Sequence, residues 1–262
     1  MIQRNLPRPA GRSRARRASR ILLALTAMAA LVSVDVPDAA AVPPLGVTVE
    51  AVPDTAADRV GALFAGGLDG GHFCTASVVR SAGRDLIATA AHCLGHPEGT
   101  VFVPGYRDGK APYGVWRLTG VRVSPAWTDG VEPDADLAFA TLAPLDGVRV
   151  EDVVGGFPVA GRQPEAVTVT VLGYPSAQEA PLRCANTTSL FTDTQRRIDC
   201  PELSGGTSGS PWLAGGALAG VLGGYEGGGT VPEVSYSAVM GDAALELYRE
   251  AAGGAGGAGG AG

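Results

Sequence analysis

Lysine is almost missing from the 262 residues: Lys110 stands alone among the 20 basic side chains. The basic charge is therefore arginine, and seven arginines crowd between Arg4 and Arg20 with no acid among them. Of the 20 basic and 26 acidic residues, 7 and 2 fall within residues 1–41, which leaves 13 bases against 24 acids and a charge of −11 for the remainder. A body that acidic has no electrostatic attraction for nucleic acid or an anionic membrane, so neither is expected as a partner. Long apolar runs are lacking too. Residues 21–34 are too few for a comfortable membrane span, although an N-terminal anchor is the alternative they leave open. No C-x-x-C pair occurs, and besides His92 the histidines are only His72 and His96. A zinc site is therefore disfavoured, and no metal or organic cofactor is expected.

Residues 1–41 have the order of an export signal: a basic start, the apolar run and then Ala39-Ala40-Ala41. The chain is expected to be secreted and extracellular, free of the membrane once the signal is removed, and monomeric. Residues 42–58 are rich in Pro, Ala and Asp without strand periodicity, and read as a propeptide or flexible lead-in. Thirty-nine glycines and 19 prolines argue against long helices and for many short strands joined by turns. Strand-like stretches recur at 60–65, 72–79, 86–90, 100–103, 115–123 and 137–142. A second series follows at 167–172, 187–191, 196–200, 210–213, 218–222 and 234–238. The strand signal weakens across 144–164, which places a linker there and divides the fold into residues 59–150 and 151–251. Residues 242–251 carry helical spacing, and residues 252–262 are a Gly/Ala repeat too poor in side chains to pack. The fold class is all-β. Two antiparallel barrels fit the two runs of strands, though pattern alone also fits a β-sandwich.

Three segments carry chemistry. Thr89-Ala90-Ala91-His92-Cys93 places a histidine where an apolar strand emerges, among small residues that leave its ring room to turn. Asp136 opens the apolar stretch Leu137-Ala138-Phe139, which would bury its carboxylate; Asp134 is the rival acid, next to Pro133 in a turn. Gly205-Gly206-Thr207-Ser208-Gly209-Ser210-Pro211 lets the backbone turn tightly around the Ser208 hydroxyl, with N–H groups on the same side. Each segment alone is ordinary. Their joint occurrence in the order His, Asp, Ser is specific. Four cysteines in an exported chain read as two disulfides, with three pairings open.

With His72-Phe73-Cys74 and Gly173-Tyr174-Pro175, these stretches resemble the chymotrypsin-like serine peptidases, in particular the secreted bacterial branch related to glutamyl endopeptidases. The resemblance spans about residues 60–250. It implies two six-stranded antiparallel β-barrels with a C-terminal helix, and an endopeptidase acting on protein or peptide substrates. It implies Ser208 as nucleophile, His92 as general base and then acid, and Asp136 as the group that orients the imidazole. The oxyanion would be bound by the N–H groups of Gly206 and Ser208. Cys74 would pair with Cys93 and Cys184 with Cys200. Gly223 and Gly224 would lie on the edge that pairs with substrate backbone. The competing expectation is an inactive homologue that uses the same cleft for binding.

Some residues depart from the family's pattern. Thr207 stands before the nucleophile where trypsin-type zymogens have an aspartate, so cleavage at Arg59-Val60 cannot create the usual activating salt bridge. Six residues before Ser208 stands Glu202, where the base of the primary specificity pocket is expected. A carboxylate there would favour Arg or Lys at the cleavage site; the alternative is a loop position facing solvent. Leu222 replaces the histidine of glutamyl-selective members, which disfavours glutamyl specificity.

Overall fold

The structure, a computed structural model, describes residues 44–253, so the signal segment 1–41 and the repeat from residue 254 lie outside the described residues. Strand β1 (Val47–Glu50) joins the second half of the molecule. The next six close on themselves: β2 (Val60–Ala65), β3 (His72–Val79), β4 (Leu86–Thr89), β5 (Thr100–Pro104), β6 (Trp116–Val123) and β7 (Ala138–Leu142) form a barrel in the order β2-β3-β4-β7-β6-β5. A short helix α1 (Pro125–Gly130) lies between β6 and β7, and α2 (Val150–Val154) follows β7.

Strands β2, β3, β4, β5 and β7 are buried along most of their length and read as apolar runs, whereas β6 keeps an exposed side with Arg117, Thr119 and Arg122. Leu63 of β2 points inward with Ile87, Phe102 and Trp116, while its neighbours Ala62 and Phe64 pack outward with Leu172, Tyr174 and Leu213 of the second half. The alternation is the period of two that a strand imposes.

The second half contains β8 (Thr168–Gly173), β9 (Leu182–Thr187), β10 (Ser189–Leu190), β11 (Gln195–Asp199), β12 (Pro211–Ala214), β13 (Ala217–Val221) and β14 (Val234–Ala238). A second closed barrel was expected from the sequence. Among the described residues this half is instead a five-stranded sheet, β1-β9-β8-β12-β13, and a three-stranded sheet, β10-β11-β14. The reason is local. After Val221 the chain enters a glycine-rich stretch in which Gly224, Gly227, Gly228 and Gly229 all have positive φ, and a regular ladder from β13 to β14 cannot continue through it. The Gly223 N–H still donates to the Tyr236 carbonyl, linking the two sheets there. Between β9 and the end of β11 the link is covalent, through Cys184 and Cys200.

Two elements differ from the sequence reading. The strand expected at 187–191 holds the two-residue β10, and the longer β9 at 182–187 precedes it without having been expected. In β1, inside the segment read as lacking strand periodicity, Val47 and Val49 are exposed. That strand is held by pairing with β9, by Gly46 N–H to the Asp199 carbonyl at 2.8 Å and by Thr48 Oγ1 to the Pro201 carbonyl at 2.6 Å. Stabilisation by backbone bonds leaves no hydrophobic period to detect. Helix α3 (Asp242–Ala252) buries Leu247 and Ala251, and the Tyr248 ring packs 5.6 Å from that of Phe139 in the barrel, tilted by 46°.

The structure pairs Cys74 with Cys93 and Cys184 with Cys200, at sequence separations of 19 and 16. Loops of that length restrict the unfolded chain by about 3 kcal/mol each. Urea unfolding of a Cys184→Ser/Cys200→Ser variant is therefore expected to show a loss of about 3 kcal/mol. A midpoint unchanged from wild type would show that the bridge carries no such constraint.

Candidate active site

His92 sits in a short turn of 3-10 helix, Ala91–Leu94, at the end of β4, and the Cys74–Cys93 bridge fastens that turn to β3. Its ring is 29% exposed, whereas Asp136 beside it is 1% exposed. Asp136 follows a 3-10 turn, Pro133–Ala135, and precedes buried Leu137 and β7, so the strand draws its carboxylate inward. There it accepts three hydrogen bonds: from His92 Nδ1 at 2.8 Å, from the His92 backbone N–H at 3.0 Å and from the Gly224 N–H at 2.8 Å. Burial by itself would raise the Asp136 pKa. The hydrogen bond and charge of His92, with the two backbone donors, outweigh it and hold the carboxyl below the ordinary carboxylate value. An ionised Asp136 fixes the proton on His92 Nδ1, which leaves Nε2 free to accept one.

Asp134 has a different role. It is exposed and accepts from Gln195 Nε2 at 2.6 Å, while Gln195 Oε1 accepts from the Tyr225 N–H at 3.3 Å. The rival acid thus secures a loop and does not touch His92.

The serine loop runs from Cys200 to β12 and is seated on the first barrel. Thr75 of β3 donates its N–H to the Ser208 carbonyl at 2.8 Å and its Oγ1 to the Gly206 carbonyl at 3.0 Å. Gly209 fits against Thr89 and Ala90, two residues before His92, with φ at +82°. A Cβ at Gly209 would overlap Thr89 Oγ1 and the Thr75 carbonyl oxygen. Gly209→Ala is expected to lose about 3 kcal/mol of stability, because the opposing backbone cannot retreat. Chemical denaturation tests this, and a loss under about 0.5 kcal/mol would show that the seam can open.

Within the loop, Thr207 is buried and donates its Oγ1 to the Ser204 carbonyl at 2.6 Å. Ser210 Oγ donates to the Thr207 carbonyl, also at 2.6 Å. These short-range bonds hold the segment before Ser208 in place without a charged partner. Gly206 adopts φ of 96°, open to glycine and strained for other residues. Among the described residues, neither the Gly206 nor the Ser208 N–H donates to another protein group.

Gly223 and Gly224 lie beside Asp136, and a Cβ on Gly223 would come within 2.8 Å of its Oδ2. The Gly223 and Gly224 N–H groups are committed to Tyr236 and Asp136, and the Gly224 carbonyl accepts from the Gly227 N–H at 2.9 Å. That Gly224 donates to Asp136 has no signature in the sequence, since the two are 88 residues apart. Of the two expectations for Glu202, pocket base or loop position facing solvent, its surroundings favour the second. It is exposed, with a positive φ of 68°, and does not line the cavity beside Ser208, which Leu203, Ser204 and Gly205 border instead. The Ser204 N–H bonds to the Glu202 carbonyl, which helps hold the loop with Glu202 on its outer side.

Among the described residues, one cluster could bring metal-ligand atoms together: Cys74, His92 and Cys93. Its sulfurs are bonded to each other, so it offers no thiolate.

A family model for a trypsin-like peptidase domain matches residues 74–221. Among solved structures, the chain is similar to the protease Anisep from Arthrobacter nicotinovorans at 28% identity and a TM-score of 0.68, over 79% of this chain and 99% of that one. It is similar to the thermostable serine protease AL20 from an extremophilic microorganism at 30% identity and a TM-score of 0.67, over 76% and 99% of the two chains. A Glu endopeptidase shares the fold at 15% identity, with a TM-score of 0.64 over 79% and 97%. No curated protein sequence matches the chain.

Proposed function

Because this chain belongs to the trypsin-like peptidase family and is a serine endopeptidase, we propose that it is secreted and cuts protein or peptide chains with Ser208, His92 and Asp136 as its triad. The observation that carries this reading is the buried Asp136 carboxylate 2.8 Å from His92 Nδ1, with the Ser208 loop docked on Thr75, Thr89 and Ala90. Ser208 Oγ attacks the substrate carbonyl carbon as His92 Nε2 takes its proton, and the C=O electron pair moves onto oxygen. The N–H groups of Gly206 and Ser208, uncommitted within the protein, receive that oxyanion. His92 then protonates the leaving amine, the C–N bond breaks and an ester to Ser208 remains. Water, deprotonated by His92, hydrolyses the ester by the same steps in reverse. A fluorophosphonate probe tests the reading: it should label the folded wild type and fail to label Ser208→Ala. An unlabelled wild type with both disulfides intact would favour the inactive, binding-only homologue.

The mature protein in this proposal retains residues 44–59. Supporting this are the β1–β9 pairing, Arg183 Nη2 bound to Asp54 at 2.6 Å, and Gly46 packed so closely that a Cβ would overlap Cys184 Sγ. Val60, the residue a trypsin-type activation would turn into a new N-terminus, is fully buried in β2. N-terminal sequencing of the exported, active protein is expected to place its first residue before Pro44. Active protein beginning at Val60 would sink the idea.

A further inference from the structure

Resting on the endopeptidase reading, we infer that the cavity beside Ser208 selects an uncharged, apolar side chain on the residue whose carbonyl is attacked. The cavity measures about 330 Å³ and carries no charged residue in its lining. Leu203 and Leu222, both nearly inaccessible, form its apolar wall, and Val231 and Pro232 contribute further apolar surface. The backbone is drawn tightly along this wall by glycine. A Cβ at Gly228 would overlap Leu222 Cδ2, and φ there is +108°.

The polar groups in the lining do not supply a charge. Thr207 has its hydroxyl committed to the Ser204 carbonyl. Thr230 Oγ1 donates to Glu226 Oε2 at 3.0 Å, and Glu226 is exposed and outside the lining. Glu202 faces away. An arginine, lysine, glutamate or aspartate side chain entering this space would surrender water without gaining an opposite charge, which is costly. An aliphatic or aromatic side chain loses nothing polar and gains contact with Leu203 and Leu222. Selection therefore works by exclusion of charge as much as by attraction of apolar surface.

Two measurements test the inference separately from the catalytic assignment. In the first, the active wild type is profiled on a mixed peptide library by mass spectrometry and then assayed on substrates that differ only at the residue before the cut. Cleavage is expected mainly after Leu, Met, Phe and Tyr, with kcat/KM at least about a hundredfold above the Arg and Glu versions. Thr230→Asp should raise kcat/KM for the Arg substrate by at least about tenfold, by placing a carboxylate in the lining. Equal or better cleavage of wild type after Arg or Lys would overturn the inference and point to Glu226, and a preference for Glu or Asp would overturn it as well. In the second, product-like peptides ending in Leu, Arg or Glu are titrated into the Ser208→Ala protein. The Leu-ended peptide should bind tightest, and indifferent binding would overturn the inference. Because this arm needs no turnover, an inactive wild type that still prefers the Leu-ended peptide would refute the endopeptidase reading alone.

Discussion

Ser208→Ala is expected to lower kcat by about 10⁶ while leaving the unfolding midpoint near that of wild type. The two halves of this result have separate causes. The hydroxyl is the only group removed, and among the described residues Ser208 Oγ makes no hydrogen bond to another protein group. The bonds that seat the loop come from the Ser208 carbonyl and from Thr207 and Ser210, all of which survive the change. Residual rate of about 10³ over water would come from the oxyanion donors and substrate positioning. Steady-state assays on a peptide substrate, with active-site titration to exclude contaminating wild type, give the number. Retention of more than about a hundredth of the rate would mean that another group is the nucleophile.

Asp136→Asn should cost about 10⁴ in kcat, the scale for losing the correct tautomer. Asp136 accepts three donors, and an asparagine has one oxygen to offer them. Its NH₂ group would face either His92 Nδ1 or a backbone N–H. If it faces Nδ1, that nitrogen must become the acceptor and the proton moves to Nε2, where the base is needed. Asp134→Asn, which disturbs only the Gln195 contact, should cost less than about tenfold, and the reverse ranking would reassign the acid. Stability has a definite sign as well. The folded pKa of Asp136 lies below its unfolded value, so its contribution is fully present above the ordinary carboxylate range and is lost as pH falls through the folded pKa. The stability gap between wild type and Asp136→Asn, measured by urea unfolding, should be widest above about pH 5 and narrow toward acid. A gap that widened on acidification would contradict the assignment of Asp136 as an ionised, hydrogen-bonded carboxylate.

The loop chemistry and the N-terminal strand fit together. In a design activated through a buried ammonium–aspartate pair, a charged residue would stand where Thr207 stands. Here the loop is held by hydrogen bonds to its own carbonyls, and β1 is spent on covering the edge of β9. A new N-terminus at Val60 would meet threonine and not aspartate at position 207, and the segment cut away would include a sheet strand.

What the sequence determined by itself was the family, the candidate triad and most strands of the first barrel. His92, Asp136 and Ser208 each lie in a short segment whose neighbours set their local conformation: small residues around the histidine, an apolar strand after the acid, glycines around the serine. Strands β2 to β5 and β7 were legible because burial on both faces writes apolar runs, and β6 because its polar and apolar residues alternate. Only the tertiary structure decided the rest. Strand β1 is held by backbone bonds and shows no pattern, and the second half fails to close because glycines of positive φ interrupt its ladder. The third donor to Asp136 arrives from Gly224, and the cavity beside Ser208 is lined by Leu222 and Val231 from beyond the serine loop. Counting back six residues reached Glu202, but a positive φ turns that residue outward, and spacing along a chain cannot encode the direction of a turn. Contacts between distant segments depend on how the two halves pack, and that is a property of the folded chain.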